Sequence, residues 1–148
     1  MTLAPDRPPP AYRPVETYRG FVYPAAIDHV GHMNVASYVA RFDEASWHFL
    51  ARLGFAPSAL ARAQRSFVAV DQRIQYRREV LAGTLLHVET ELVEVRRKTI
   101  RWVHRMYDSE TAEEVASMEL VVVHFDTRER ASAELPDDVA RHAADLRA

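Results

Sequence analysis

Residues 35–53 read VASYVARFDEASWHFLARL, and their spacing decides the fold. At 100° per residue, Val35, Tyr38, Val39, Phe42, Ala45, Phe49, Leu50 and Leu53 gather on one face, while Arg41, Glu44, His48 and Arg52 fall opposite. The pattern predicts an amphipathic helix of about 20 residues, opening after the N-cap type Asn34 and closing before Gly54. One residue misfits. Asp43 stands at the edge of the apolar stripe, beside Leu50 on the helical wheel, where a carboxylate needs a partner or a task.

Before this helix, the aromatic and β-branched run Tyr18 to Tyr23 reads as a strand ended by Pro24, and residues 25–33 read as a loop. Five of the eight prolines lie in residues 1–14, so residues 1–17 are expected to form a Pro-rich flexible arm and residues 18–148 a single domain. After the helix, a polar linker around Pro57 to Gln64 has room for a short helix. The pattern then changes to period two: Val68, Val70, Gln72, Ile74 and Tyr76 alternate with Ala69, Asp71, Arg73, Gln75 and Arg77. Gln72 is the polar intruder on the face expected to be buried. Further strands are expected at about 84–96, 98–108 and 114–126, with a hairpin turn at Asp108 to Thr111. Leu120 to Val123 is apolar on both faces, which places it in the centre of a sheet or at a subunit interface. Pro136 opens a C-terminal helix over about 136–147.

Strand, long helix, then four long antiparallel strands predicts an α+β layer architecture. Two folds solve it: the hotdog fold, an antiparallel β-sheet wrapped around one long central α-helix, and a cone-shaped fold that begins with helices. The strand preceding the helix favours the hotdog.

Composition removes several function classes. The 148 residues are 48% hydrophobic and 27% charged, with a formal net charge of −2, so no global field recruits nucleic acid or an acidic membrane. Without cysteine, disulfide scaffolds, thiolate metal sites and cysteine nucleophiles are excluded. The glycines are Gly20, Gly31, Gly54 and Gly83, too far apart for a P-loop, a dinucleotide fingerprint or a G-x-S-x-G elbow. No apolar run reaches membrane-span length, and MTLAPDRPPP lacks the apolar middle of a signal peptide. A cytoplasmic location is expected.

Chemistry concentrates between the first strand and the helix, in Asp28-His29-Val30-Gly31-His32-Met33-Asn34, followed by Tyr38. The first N–H groups of a helix have no intrahelical partners and carry the positive end of its dipole. A carboxylate beside them has the minimal apparatus for acyl transfer: it attacks an acyl carbon or activates water while the amides hold the developing oxyanion. Thioesters suit such a site, since a thiol of pKa ~8.5 leaves without a general acid. His29 and His32 with one Asp do not form a recognised metal-ligand spacing, and no metal is expected. His104 falls in phase with Ile100, Trp102 and Met106, and is expected half-buried. The turn Arg96-Arg97-Lys98 is a compact basic cluster suited to phosphates on a small ligand.

The strand Phe21-Val22-Tyr23, the loop Asp28-x-x-Gly31-His32-Met33-Asn34, Tyr38, the helix stretch Phe42-Asp43-Glu44-Ala45 and the segment Glu94 to Thr99 resemble the 4-hydroxybenzoyl-CoA thioesterase family of hotdog proteins, over about residues 18–126. The resemblance implies hydrolysis of an acyl-CoA to the free acid and CoA, with CoA as part of the substrate and no separate cofactor. It implies that Asp28 is the catalytic carboxylate, nucleophile or general base, that the Val35 amide is the oxyanion donor with Asn34 beside it, and that Arg96, Arg97 and Lys98 meet CoA phosphates. His32, Tyr38, Asp43 and Gln72 are expected around the substrate, with Asp43 accepting hydrogen bonds that fix the loop. The family's sites lie between subunits, so a homodimer or dimer of dimers (a homotetramer) is expected. The sequence departs from the family pattern at Ala26, where many relatives have Asp, and at Asn34-Val35, where they have Asn-Asn. The alternatives are an acyl-CoA dehydratase or hydratase using His32 with Asp28, and a noncatalytic acyl-CoA-binding module.

Overall fold

The computed structural model describes residues 11–148; the first ten residues of the expected Pro-rich arm lie outside them. Strand β1 (Val15–Phe21) leads through a single 3-10 turn (Pro24–Ala26) to helix α1 (Val35–Arg52) and the short helix α2 (Pro57–Ala63). Strands β2 (Arg65–Tyr76), β3 (Leu85–Val95), β4 (Thr99–Asp108), β5 (Glu114–Asp126) and β6 (Ala131–Ser132) follow, and helix α3 (Val139–Ala144) closes the chain. The first strand thus begins three residues inside the segment expected to be an arm. Val15 is buried and Tyr12 bridges to Arg147, so apolar burial and ladder bonds reach further upstream than the proline content implies.

The sheet is antiparallel, in the order β1-β3-β4-β5-β2, with β6 pairing β5. It curls around α1, the hotdog arrangement expected from the sequence. Its core is α1's stripe against the inner faces of the strands: Phe42, Phe49, Leu50 and Leu53 meet Leu86, Val88, Ile100, Trp102, Met106 and Met118, all at most 2% exposed. Phe49 stands edge-on to Trp102 at 5.2 Å between ring centres. Truncating such a side chain to Ala costs about 3–5 kcal/mol, because the removed volume leaves a cavity as well as a lost transfer term.

One open reading is resolved and two change. Strand β5 is paired on both sides, by β4 and β2, so Leu120 to Val123 is a central segment and not a subunit-pairing edge. In β2 a bulge between Ala69 and Asp71 shifts the register. Phe67, Ala69 and Gln72 consequently face α1, whereas Val68 and Val70, expected inside, are 43% and 58% exposed. A strict period of two cannot foresee an inserted residue. Arg41, expected to face solvent, lies against β1: its guanidinium donates to the Tyr18 hydroxyl at 2.7 Å and to the Phe21 carbonyl at 3.4 Å. Gly20 makes this crossing possible, since a Cβ there meets the Tyr18 phenol and the Arg41 guanidinium.

Candidate active site

The segment between β1 and α1 is a small hairpin closed by bonds on both sides. Ile27 bridges Met33, Asp28 N–H donates to His32 O at 3.0 Å, and Asn34 N–H donates to Ala26 O at 2.9 Å. At its tip Gly31 N–H returns to Asp28 O at 3.0 Å, with Gly31 at φ +91°, a conformation that side chains strain to adopt. Met33, 2% exposed, anchors the far side and donates its N–H to Val80 O. The loop is therefore fixed by its own backbone and by one apolar anchor.

Half-buried Asp28 accepts from Val30 N–H through Oδ1 at 2.9 Å and from Asn34 Nδ2 through Oδ2 at 3.3 Å. Asn34 is also the helix cap: its Oδ1 accepts from Ala36 N–H at 2.8 Å. Between Asn34 and Ala36, the Val35 N–H points out of the first turn, and among the described residues nothing accepts its hydrogen. Val35 itself is 58% exposed, off the core face on which periodicity had placed it. A carboxylate is thus tied to the cap residue that immediately precedes an open backbone donor at the positive end of an 18-residue helix.

Two depressions lie along the N-terminal part of α1. One, of about 380 Å³, is walled by His32, Val35, Tyr38, Tyr76, Arg77 and Glu79. Tyr38 meets Tyr76 edge-on at 5.0 Å, and burial, with the nearby Tyr76 and Glu79, holds its hydroxyl above the ordinary phenol pKa, so it stays a donor. His32 turns its Nδ1 to Glu79, 3.5 Å away, and not to the Asp28 carboxylate. The second is a groove of about 520 Å³ running beside α1 from Ala36 to Leu50, closed opposite by Phe67, Gln72 and Leu120. Asp43 and Gln72 both line it. Asp43 accepts no hydrogen bond among the described residues, so the expected loop-fixing role is replaced by a place on the groove wall.

Arg96, Arg97 and Lys98 lie elsewhere. Their turn is held by His124 N–H on Lys98 O and Leu135 N–H on Arg97 O, and His124 packs on Phe55, just past the C-terminus of α1. Asp28 is at the N-terminus, and 18 residues of helix span about 27 Å. One chain therefore does not bring the basic cluster to Asp28. Its side chains pair with Glu94, Glu134 and Ser132 in exposed contacts.

A buried polar chain under the groove was only half legible. His104 is wholly buried rather than half-buried, stacked on Phe42. Trp102 Nε1–H, a donor only, gives its hydrogen to His104 Nε2 at 2.9 Å, so Nε2 is unprotonated and Nδ1 carries the hydrogen. Nδ1–H then donates to Thr90 Oγ1 at 2.7 Å, Thr90 to Thr17 Oγ1 at 2.8 Å, and Thr17 to Val88 O at 3.3 Å. Ser46 Oγ lies 2.8 Å from Nε2 and 3.0 Å from Phe42 O, so its single hydrogen is shared between these two acceptors. Burial drives the His104 pKa down to about 3, and the geometry agrees, because a proton on Nε2 would meet the indole N–H head-on. Ser46 lies on the lining of the groove above this chain. Its position inside the stripe of α1 was the one available signal, as a hydroxyl there requires a buried partner.

The family model described as the thioesterase-like superfamily matches residues 22–142, and the chain belongs to that superfamily. Over 128 residues it is 29% identical to the L-carnitine dehydrogenase/betainyl-CoA thioesterase of Agrobacterium fabrum, a match covering 86% of this chain and 26% of the relative. The chain thus spans about a quarter of the curated relative's length. In structure it is similar to a Staphylococcus aureus protein solved in complex with CoA, with a TM-score of 0.82 at 16% identity, covering 92% of this chain and 86% of the other. It is also similar to the 1,4-dihydroxy-2-naphthoyl-CoA thioesterase of Synechocystis, with a TM-score of 0.76 at 19% identity over 87% and 95% of the two chains. At these identities the structural likeness is one of fold. Among the described residues no helix is long and apolar enough to cross a membrane.

Proposed function

We propose that this chain hydrolyses acyl-CoA thioesters to the free carboxylic acid and CoA. The observation that carries the reading is the Asp28 carboxylate bonded to Asn34, the cap residue next to the Val35 N–H, which has no partner among the described residues. With the thioester oxygen on the Val35 amide, the carbonyl is polarised, and its carbon faces Asp28 or a water that Asp28 deprotonates. The tetrahedral intermediate collapses by expelling CoA as thiolate, which needs no strong acid. Membership of the thioesterase-like superfamily supports the same chemistry.

The active unit is a homodimer in this reading, with a dimer of dimers as its larger form. The separation of the basic cluster from Asp28 supports it, since a second chain can supply Arg96, Arg97 and Lys98 to a CoA whose thioester lies at the first chain's Asp28. The free edge of β2, with Val68 and Val70 exposed, offers a surface for that partner. The hydratase alternative is less well supported, because His32 faces Glu79 rather than Asp28.

The test is thiol release from short, long and aromatic acyl-CoAs by the wild type and by Asp28→Asn, with oligomeric state checked by light scattering. Loss of about 10²-fold or more in kcat at unchanged assembly is expected. Tight CoA binding without thiol release would favour the binding module. Equal rates in both proteins would remove Asp28 from the centre.

A further inference from the structure

The groove beside α1 begins at Ala36, the residue after Val35, and runs along the helix away from that end, a course open to an acyl group whose carbonyl lies at the Val35 amide. Its walls are apolar and aromatic, with one charged residue, Asp43. Trp47, one helical turn further on, shares its wall, Gln72 faces it from β2, and Trp102 forms part of the lining. No Lys or Arg lines the groove, and among the described residues no cation pairs with Asp43.

This arrangement discriminates between occupants. In the open groove Asp43 is exposed and hydrated, at little cost. An acyl group filling the groove strips that water away. A neutral hydrocarbon then leaves a carboxylate facing an apolar surface with nothing to replace its hydration, whereas a cationic nitrogen both compensates the charge and is attracted by the aromatic ring of Trp47 on the same wall. Selection comes as much from penalising the wrong occupant as from attracting the right one. Asp43 is eight residues beyond Val35, about 12 Å along the helix axis, and its side chain leans back toward the N-terminus. The favoured cation accordingly sits several bonds from the thioester.

We propose that Asp43, with Trp47 beside it, makes this groove specific for acyl groups bearing a cationic nitrogen, of the quaternary or protonated ammonium class. The claim rests on the thioesterase reading for its use of the groove as acyl site. Two isosteric pairs test it: betainyl-CoA against tert-butylacetyl-CoA, and γ-trimethylammoniobutyryl-CoA against its tert-butyl counterpart. Each pair exchanges a positive nitrogen for carbon at constant shape. For the longer pair kcat/KM is expected to favour the cationic member at least tenfold in the wild type, and Asp43→Asn is expected to reduce that ratio to below about threefold, with Asp43→Glu restoring part of it. Because both rates come from one protein sample, a folding or assembly defect cancels in the ratio.

A wild-type ratio near or below one overturns the proposal, as does a ratio unchanged in Asp43→Asn, which would make Asp43 a structural or subunit-contact residue. If none of the four thioesters is hydrolysed, the thioesterase reading falls. The ratio of dissociation constants for the same pairs, measured calorimetrically on wild type and Asp43→Asn, then decides the groove's charge preference on the same criteria.

Discussion

The Asn34 side chain joins Asp28 to the helix: its Nδ2 donates to Asp28 Oδ2 at 3.3 Å while its Oδ1 accepts from Ala36 N–H at 2.8 Å. One residue thus both caps α1 and orients the carboxylate. Asn34→Ala should cost about 1 kcal/mol of stability through the lost cap and lower kcat as well. Asn34→Asp keeps the cap but sets a second carboxylate against Asp28, so the acidic limb of the pH–rate profile should move upward while the urea midpoint stays near wild type. Urea titration with a pH profile separates the two variants.

Val35 offers a clean deletion of the proposed oxyanion donor. It is the first residue of α1, where proline is well tolerated, and Asn34 before it is extended at φ −66°, ψ 146°, as a residue preceding proline should be. Val35→Pro removes one N–H that bonds to nothing among the described residues. Thermal stability should be nearly unchanged, while kcat falls about 10²- to 10³-fold; a variant of full activity would move the oxyanion elsewhere.

His104 makes stability depend on pH. Its folded pKa lies at about 3 against 6.5 for the free side chain, so between these values the unfolded chain binds a proton that the folded chain refuses. From this residue alone, stability is greatest above pH 6.5 and declines by roughly 1.4 kcal/mol per pH unit as pH falls through the window. Urea midpoints from pH 7 to 4 check this, and the slope should flatten in His104→Gln. Thr90→Val, which leaves the Nδ1–H without an acceptor, should cost about 1–3 kcal/mol at neutral pH.

Substitution in the basic turn should separate binding from folding. The pairs of Arg96 with Glu94 and of Arg97 with Glu134 are exposed, and such pairs contribute about 0–1 kcal/mol. Replacing Arg96 and Arg97 with Ala should leave the melting temperature within a degree or two while raising KM for acyl-CoA about tenfold, more at low salt than at high. Steady-state kinetics at two ionic strengths decides.

Much of this architecture was legible because hydrophobic period and turn chemistry agree along the chain. The stripe from Tyr38 to Leu53, the cap at Asn34 and the β3–β4–β5 meander lie within a residue or two of where spacing places them. The departures share a cause: each depends on an interaction with a distant segment. The β2 bulge inverts Val68 and Val70 through its register with β5, and Arg41 is drawn inward by Tyr18, 23 residues upstream. The candidate site divides in the same way. Asp28, Asn34 and Val35 are close in sequence, and their geometry follows from one turn. The groove that gives Asp43 its setting is assembled from α1, β2, β4 and β5 and could not be read from any of them alone.

The buried chain from Trp102 to Val88 has a single direction, fixed by an indole that can only give its hydrogen away. Its hydrogens have no second seat, so none can hop along the line, and none leaves for solvent while the sheet remains closed around α1. The Trp102 indole hydrogen is therefore a timekeeper for the whole molecule. Its exchange with bulk water should run at the rate of global opening, slow in the intact fold and slower still when a ligand fills the groove that Trp102 lines.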